Sequence, residues 1–365
     1  MAISRYLSKN ELGKIIKVSK LSLRHLPSEK RWISKWGRLS SSLNRDYYRV
    51  YSHYIGEDED IVPDDLCHNI VEHILNPNSL RALSEDKNLF DLFLSTGFDS
   101  FVTPATVLRC MDGVYLDRDY KTINDIDSYI KEIASERLVI KPSIGSSSGR
   151  GIIFFTKADC GRFVQRGESG VLSGQYIRDN LPNNFVIQEY LDQSSFMSSF
   201  CPTSINTLRI ATYRSVKTNE PDVLNCLMRI GSKGSLVDNA HAGGSFVGVS
   251  SEGKLGNYLC NQYGEKITCF NGIDFENNTF VIPGFEEIKE FAKQVALCVP
   301  HMRLLQLDIA IDKNNRPRLI EYNISGFAPW VYQFTIGPAF GKYTDEIINY
   351  CVGHKEEATR IVVTF

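Results

Sequence analysis

The chain has 365 residues, of which 42% are hydrophobic and 23% charged, so it can form about two or three lobes with buried cores. Its 41 basic and 43 acidic residues leave a net charge of -2, which excludes a general nucleic-acid coat protein and predicts no nucleic-acid partner. There is no apolar run of about 20 residues, so no membrane span is expected. The first residues also lack the uninterrupted apolar stretch of a signal peptide.

The nine cysteines are scattered along the chain, without a CxxC motif or a cysteine–histidine cluster. An odd number of cysteines without close spacing argues against a disulfide framework and against a zinc site. The pattern is typical of reduced thiols and therefore predicts a cytoplasmic protein.

The N-terminal region is basic. Residues 1–50 carry 12 lysines and arginines against three acidic residues. Residues 11–25 are predicted to form an amphipathic helix, whose apolar side consists of Leu12, Ile15, Ile16 and Leu23. Such a helix can pack on the body of the protein, or it can touch an anionic membrane surface or a polyanionic partner. Residues 1–80 are accordingly interpreted as a basic, helical N-terminal region.

Beyond residue 80, helical and extended segments alternate. One helix is predicted over residues 79–98, ending near Gly97, and another over 282–300, where apolar residues follow the i, i+3, i+4, i+7 rule. Strands are predicted at 137–142, 185–191, 205–215, 223–230, 304–312 and 317–325. The mixture indicates a protein of the α/β or α+β class.

The last two predicted strands carry paired acidic side chains. Because side chains alternate along a strand, a turn centred between Asn314 and Asn315 would put Asp308 opposite Glu321, about 5 Å apart. Asn323 lies one pleat further along the same face. Hard oxygen ligands of this kind suit Mg²⁺, which keeps water and phosphate as its other ligands. The alternative is a pair of surface carboxylates beside a turn.

A lysine followed by a Gly/Ser-rich loop is the second chemical signal. Lys141 ends a predicted strand, and the sequence IGSSSGRG follows it. Backbone N–H groups of such a loop can cradle a phosphate. The loop is not a Walker A motif, because no GKS or GKT closes it, and a simple linker is the alternative.

The order of these motifs resembles the ATP-grasp superfamily over residues 85–330. The resemblance is closest to the sugar-transfer-associated ATP-grasp proteins and the alpha-L-glutamate-ligase-like members. It implies an α+β fold in which two lobes clamp ATP. The first lobe would comprise residues 81–200 with the mobile Gly/Ser loop, and the C-terminal lobe residues 201–365 with the metal and substrate site.

The resemblance also implies roles for individual residues. Phosphate contacts would come from Lys87, Lys141 and the loop residues Ser146, Ser147, Ser148 and Gly149. The hinge that pairs with adenine would be Gln188, Glu189, Tyr190 and Leu191, and Asn239 would begin the family's N-x-x-x-G-G turn. Arg209 and Arg229 would act with Lys141 in catalysis, facing the terminal phosphate and the acyl substrate. The Mg²⁺ ligands would be Asp308, Glu321 and Asn323.

Two features depart from the family pattern. Gln-Leu precedes Asp308 where the ligases have Gly-Val, and Asn323 is followed by Ile-Ser-Gly326 rather than by a segment ending in Pro-Gly. The second change alters the loop beside the substrate. His241 falls where a substrate-side residue would lie, with a structural role as the alternative. Phe327, Trp330 and Tyr332 could line an acceptor pocket or pack in the core.

The resemblance predicts an ADP-forming carboxylate–amine ligase that uses ATP and Mg²⁺ and passes through an acyl phosphate. Its substrates would be a small carboxylate and an amine, such as an amino acid and a sugar or sugar acid of surface polysaccharide biosynthesis. One alternative is an ATP-grasp kinase that phosphorylates a hydroxyl group or uses His241 in a relay. The other is a non-catalytic nucleotide-binding or scaffold protein.

Overall fold

The computed structural model describes residues 8–145, 149–240 and 243–358, without the side chains of Ala82 and Leu83. The chain forms two compact units. The large unit contains residues up to 82, residues 193–317 and residues from 321 onward, and the small unit contains residues 83–192 and 318–320. The observed division therefore differs from the predicted segments, because the N-terminal region shares one unit with most of the predicted C-terminal lobe.

The large unit begins with five helices. They are α1 (Lys9–Val18), α2 (Glu29–Trp36), α3 (Arg45–Ile55), α4 (Asp64–Leu66) and α5 (Glu72–Leu75), the last two joined by a π-helical turn at Cys67–Val71. Helix α1 is shorter than predicted. A capping box between Ser8 and Glu11 starts it, and it ends before Lys20, whose φ is 51°. Leu23 therefore lies outside the helix, whereas Leu12 and Ile15 are buried.

The small unit is built on a six-stranded antiparallel sheet with the strand order β2-β1-β6-β3-β4-β5. Its strands are β1 (Thr106–Met111), β2 (Val114–Leu116), β3 (Arg137–Pro142), β4 (Ile153–Lys157), β5 (Phe163–Gln165) and β6 (Phe185–Glu189). Its helices are α6 (Arg81–Ser84, which starts in the large unit), α7 (Phe90–Leu94), α8 (Ile126–Glu132) and α9 (Gly174–Asn180). Apolar residues of α8 and α9 form one core with the sheet.

The helix predicted over residues 79–98 is broken. A 3₁₀ turn at Lys87–Leu89 separates α6 from α7. The break occurs because the Asp86 carboxylate accepts the Asn88 backbone N–H at 2.9 Å, so Asp86 acts as an N-cap and starts a new turn. The chain then enters α7 with Lys87 in the 3₁₀ turn rather than in a continuous helix.

The large unit contains a seven-stranded sheet in the order β11-β10-β9-β8-β7-β14-β15. Its strands are β7 (Thr207–Arg214), β8 (Pro221–Ile230), β9 (Ser245–Val249), β10 (Leu255–Cys260), β11 (Lys266–Ile267), β14 (Leu304–Ile311) and β15 (Pro317–Asn323), while β12 (Cys269–Phe270) and β13 (Ile273–Asp274) pair separately. The remaining helices are α10 (Ser195–Phe200), α11 (Phe285–Leu297), α12 (Pro329–Gln333), α13 (Thr344–Gly353) and α14 (Lys355–Ala358). Helix α11 packs on β7 and β8, and these predicted strands and this predicted helix are confirmed.

The N-terminal helices bury a set of aromatic side chains against the C-terminal segment of the large unit. Trp32, Trp36 and Tyr51 are fully buried in the same core as the 327–351 residues. Phe327, Trp330 and Tyr332 also belong to this core, at 4% exposure or less. These three aromatic residues therefore pack in the core, which was one of their two predicted roles. Among the described helices, none is long and apolar enough to cross a membrane.

Candidate functional site

Asp308 lies in the middle of strand β14, beside a basic residue on the neighbouring strand. The register of β14 and β7 pairs Asp308 directly with Arg209, and the register of β7 and β8 pairs Thr207 with Arg229. Because directly opposed residues share a face of an antiparallel sheet, these side chains project on the same side. Leu208 and Ile210 occupy the opposite face, which keeps the polar side chains on one face.

Four charged residues form what we call the arginine–aspartate cluster: Arg209, Arg229, Asp238 and Asp308. The Arg209 guanidinium donates from Nε and Nη2 to the two Asp308 oxygens, at 2.8 and 2.7 Å. Arg229 donates from Nη1 to Asp308 at 3.1 Å and lies 2.9 Å from Asp238 through Nη2. The bidentate geometry fixes the plane of the Arg209 guanidinium.

The opposite charges within the cluster stabilise one another. Burial alone would lower the pKa of Arg209, but the charge of Asp308 and its hydrogen bonds, with smaller effects of Tyr332 and Glu321, raise that pKa above its ordinary value. Burial raises the pKa of Asp238, and Arg229 and a hydrogen bond from Thr207 oppose that rise. Arg209 therefore stays charged, and the Arg209 and Arg229 side chains are 20% and 16% exposed.

The hairpin that carries the predicted metal ligands closes differently from the prediction. Asp312 N–H donates to Arg316 O at 2.9 Å and Asn315 N–H donates to Asp312 O at 2.8 Å, with Asn315 at a φ of 59°. The loop therefore has three residues with a left-handed Asn, not the two-residue turn that would set Asp308 directly opposite Glu321. The sequence could not distinguish the two turns, because Asn suits both of them.

Glu321 and Asn323 are half-exposed residues of β15. The Asn323 side chain donates to Gln306 O on β14 at 3.2 Å, and Glu321 is close enough to influence Arg209. The oxygen donors of Asp308, Glu321 and Asn323 fit the hard ligand chemistry of Mg²⁺, although Asp308 here binds two guanidinium groups. In the described part of the chain, no group of three or more His, Cys, Asp and Glu residues is placed to hold a metal, and the proposed set stays a prediction.

Asp238 and Asn239 lie shortly before β9, where their backbone comes close to Gly244. The Asn239 carbonyl accepts Gly244 N–H at 3.0 Å. A Cβ on Gly244 would lie 2.7 Å from the carbonyl oxygen of Asp238, so only glycine allows this approach. Both Asp238 and Asn239 are buried. His241, which the sequence singled out, lies outside the described residues. Asp238 was missed, although it directly precedes Asn239 in the recognised motif.

In the small unit, Lys141 and Gln188 share the side of the sheet that faces away from α8 and α9. The register of β3 and β6 pairs Lys141 with Val186 and Val139 with Gln188, so the two side chains are diagonal neighbours. Lys141 Nζ donates to Gln188 Oε1 at 3.1 Å, and Gln188 Nε2 donates to Pro104 O. The polar end of the strand thus carries a lysine held by a neutral amide.

The Gly/Ser loop follows β3. Gly145, Gly149 and Gly151 all have positive φ values, of 64°, 73° and 75°. A Cβ on Gly151 would lie 2.8 Å from the Pro142 ring, so the loop returns close to its own start. The three serines at 146–148 lie outside the described residues, and their predicted phosphate contacts stay predictions.

A buried ion pair, which the sequence analysis missed, holds the Lys87 turn. Arg109 of β1 is fully buried, donates to Asn88 O at 2.8 Å and pairs with Asp91. The Lys87 N–H donates to Ser143 O at 3.0 Å, directly after β3. The sequence does contain a signal for this ion pair, namely an arginine in a largely apolar strand. A charge buried there requires a partner.

The predicted hinge lies at the end of β6. The Glu189 N–H donates to Ala105 O at 2.8 Å and the Tyr190 N–H to Arg137 O at 2.9 Å. The Arg137 guanidinium stacks 4.3 Å from the centre of the Tyr190 ring. Glu189 is exposed, and Tyr190 and Leu191 are half-buried.

The two antiparallel sheets and their polar strands have the α+β architecture of the ATP-grasp fold. A family model described as sugar-transfer-associated ATP-grasp matches residues 69–342, so the chain belongs to that family. The resemblance and the fold class inferred from sequence are thereby confirmed. No curated protein matches the chain.

Several solved structures are similar at low identity. D-alanyl-alanine synthetase A from Vibrio cholerae is 12% identical with a TM-score of 0.44, covering 77% of this chain and 67% of that one. The D-alanine–D-alanine ligase from Coxiella burnetii is 11% identical with a TM-score of 0.38, covering 76% and 60%. N5-carboxyaminoimidazole synthetase from Staphylococcus aureus, complexed with ADP, is 11% identical with a TM-score of 0.36, covering 67% and 45%. The chain spans about half to two thirds of the length of these structures.

Proposed function

We propose that the protein is an ATP- and Mg²⁺-dependent ligase that joins a carboxylate to an amine through an acyl phosphate and releases ADP. The observation that carries the proposal is the arginine–aspartate cluster. Two guanidinium groups are fixed on one sheet face, and part of each side chain stays exposed. Phosphoryl transfer to a carboxylate brings two anions together, and pre-oriented cations lower that repulsion.

The contacts of each side chain support a proposed role. Arg209, held in plane by Asp308, would bind the carboxylate or the acyl phosphate in a bidentate manner, and Arg229 would add a second cation. Lys141 would attract phosphate, because it lies at the end of β3, directly before the Gly/Ser loop, where its side chain donates to the Gln188 amide. Lys87 would do the same with lower specificity.

The Gly/Ser loop and the strand end of β6 complete the nucleotide contacts in the proposal. A loop with three glycines at positive φ can close over phosphates and exclude water, which protects an acyl phosphate from hydrolysis. Gln188, Glu189, Tyr190 and Leu191 would offer backbone groups to adenine, and Asn239 would support the phosphate side. Asp308, Glu321 and Asn323 would hold Mg²⁺, which would neutralise phosphate charge.

The substrates are proposed from the family description. An association with sugar transfer favours an amino acid joined to a sugar or sugar acid during surface polysaccharide biosynthesis, in the cytoplasm. A peripheral membrane contact of the basic N-terminal region would suit that context. These assignments rest on the family description and on the charge of the N-terminal region.

Hydroxylamine trapping tests the proposal. Each carboxylate of a panel of amino acids and uronic acids is incubated with ATP, Mg²⁺ and hydroxylamine. The carboxylate oxygen attacks the terminal phosphorus and ADP leaves; the hydroxylamine nitrogen then attacks the acyl carbon, and phosphate leaves with the bonding electrons. A hydroxamate and ADP in equal amounts are expected. The Arg209→Ala and Arg229→Ala variants should form about a hundredfold less product.

Arg214 provides the matched control, because it lies on β7 outside the cluster. Its alanine variant should retain hydroxamate formation. A stable phosphate ester from a hydroxyl substrate, without any hydroxamate, would replace the ligase with a kinase. ATP binding without turnover of any substrate would favour a non-catalytic nucleotide-binding protein.

A further inference from the structure

Residues 324–334, which we call the post-strand segment, start directly after Asn323 and run across the face of the large sheet that carries the cluster. The Tyr332 hydroxyl accepts a hydrogen bond from Gln306 Nε2 at 3.2 Å, and Gln306 shares its sheet face with Asp308 two residues further on. The segment therefore borders any ligand held by Glu321 and Asn323. What fixes the segment fixes one side of that site.

Asn76 of the N-terminal region joins the start of β14 to the end of β15. Its Nδ2 donates to Leu304 O at 2.6 Å and to Ile324 O at 2.8 Å. Its Oδ1 accepts the N–H groups of Arg303 and Leu304, at 2.9 and 3.0 Å. A side-chain amide has two donors and two lone pairs, so this buried residue uses all its hydrogen-bonding capacity on the two strands.

Glu72, one helical turn before Asn76, binds the post-strand segment. Its Oε2 accepts Phe327 N–H at 2.9 Å, and Arg81 lies 3.2 Å from Oε1. Arg81 Nε also donates to Asn76 O at 3.1 Å, so the cation links the two residues. Glu72 has 1% exposure. A buried carboxylate with these partners acts as a fixed anchor for the Phe327 amide.

A second attachment lies at the far end of the segment. The Gln333 side chain accepts Val62 N–H at 2.7 Å and donates to Val62 O at 3.0 Å, as a neighbouring strand would. The N-terminal region therefore holds the segment at residues 324, 327 and 333.

We infer that Glu72 and Asn76 are positioning residues, through which the N-terminal region sets where the post-strand segment lies beside the arginine–aspartate cluster and how the amine substrate approaches. The inference rests on the proposed ligase function. It gives the N-terminal region a role in acceptor recognition, in addition to its packing in the core. It also accounts for the absence of a Pro-Gly turn after Asn323, because buried side chains from α5 and the residue after it supply the restraint.

The test compares Glu72→Gln with Glu29→Gln in the full chain. Glu29 is a matched control: it is a fully buried glutamate of the same region, bound by Arg49 at 2.8 Å, and it also contacts His25 and the Leu26 N–H, all outside the segment. Hydrogen exchange of the 324–330 amides and steady-state kinetics with hydroxylamine are measured for both. Arg81→Met is the second variant, since it keeps the Glu72 carboxylate and removes its cation.

Glu72→Gln should speed exchange of the 326–328 amides by about tenfold and raise the KM for hydroxylamine about fivefold, with the KM for ATP unchanged. Glu29→Gln should change neither. Unchanged exchange in Glu72→Gln and Arg81→Met overturns the inference. Faster exchange with an unchanged KM for hydroxylamine overturns the positioning role. If the wild-type protein forms no hydroxamate at all, the proposed function fails, and exchange alone decides whether Glu72 holds the segment.

Discussion

The cationic side chains of the candidate site have different hydrogen-bond partners in the two units. In the large unit, Arg209 and Arg229 are bound to carboxylates within a network of ion pairs. In the small unit, Lys141 donates a side-chain hydrogen bond to the Gln188 amide. The first arrangement fixes orientation, because bidentate bonds hold the guanidinium plane. The second places a lysine at the end of β3, beside an amide and directly before the Gly/Ser loop.

A second arginine–aspartate pair shows how exposure separates a site from a structural contact. Arg109 and Asp91 in the small unit are 0% and 4% exposed, so no substrate can reach them. Arg209 and Arg229 retain 20% and 16% exposure with the same kind of partner. The same chemical pairing therefore supports a helix turn in one unit and leaves two guanidinium groups partly exposed in the other.

Asp308→Asn should have the largest effect, because it leaves two partly buried guanidinium groups facing a neutral amide. We expect ATP turnover to fall at least about tenfold and the free energy of unfolding to fall by about 3 kcal/mol. Turnover and urea denaturation are measured on the same samples. Asp222→Asn is the control. Asp222 lies on the same sheet and pairs with the exposed Lys342, so the substitution should lower the free energy of unfolding by less than about 1 kcal/mol. Equal losses in both variants would remove the distinction between the cluster and a surface ion pair.

Glu29 forms a buried ion pair away from the candidate site residues of both units, and it serves as a reference for the stability that such a pair contributes. Burial alone would raise the pKa of Glu29, but hydrogen bonds from Arg49, Leu26 and His25 lower it from 4.5 to about 2. A lowered folded-state pKa stabilises the fold above pH 4.5, and this contribution is lost as the pH falls toward 2. Glu29→Gln should therefore lose about 2 kcal/mol at neutral pH and almost nothing near pH 2. Denaturation curves at both pH values check this, and a gap independent of pH would contradict it.

Lys141→Ala tests the attraction assigned to the small unit. ATP affinity should fall about tenfold in a calorimetric titration, while the melting temperature changes little, because the Lys141 side chain does not belong to the apolar core of the small unit. Lys157 is the matched lysine: it lies on the adjacent strand and its Nζ donates to Ile133 O at 2.7 Å. Lys157→Ala should retain affinity. Wild-type affinity in Lys141→Ala would remove Lys141 from the proposed phosphate contacts.

The smallest effect concerns α1. Leu12 and Ile15 are buried in the large unit, so the side of the helix that could insert into lipid is already occupied. The exposed Lys14 and Lys17 remain, and any binding to anionic vesicles should be electrostatic. Charges are screened within about 8 Å at physiological ionic strength, so co-sedimentation should fall steeply with added salt. Binding that resists salt would require an apolar contact that the packed helix does not offer.

The sequence predicted the elements whose periodicity is local. Strands β7 and β8 and helix α11 were recognised because alternation or a 3.6-residue period runs through each of them. The prediction of one continuous helix over 79–98 is wrong at Asp86, where one side-chain hydrogen bond to the backbone outweighs helix propensity. Helix α1 was predicted too long, because Leu23 belongs to the apolar pattern but not to the helix.

The sequence predicted the candidate site residues that belong to a motif. It did not predict the contacts between residues that are distant in the chain. Asp308 and Arg209 were both singled out, but their bidentate pair follows from strand register across 99 residues. The turn at Asn315 has three loop residues instead of the expected two, which periodicity cannot reveal. Glu72 and Asn76 gave no signal, because their partners are backbone groups more than 200 residues away.

The residue after Asn76 has a consequence for chemical ageing. Asparagine deamidates when the next backbone N–H attacks its side-chain carbonyl, but Pro77 has no N–H, and Asn76 is buried. Asn271 also bridges backbone groups, of Phe200 and Gly231, yet it precedes Gly272 and is half-exposed. Stored protein should therefore accumulate aspartate at Asn271, as peptide mass spectrometry can detect, while the amide that joins β14 to β15 keeps its four hydrogen bonds.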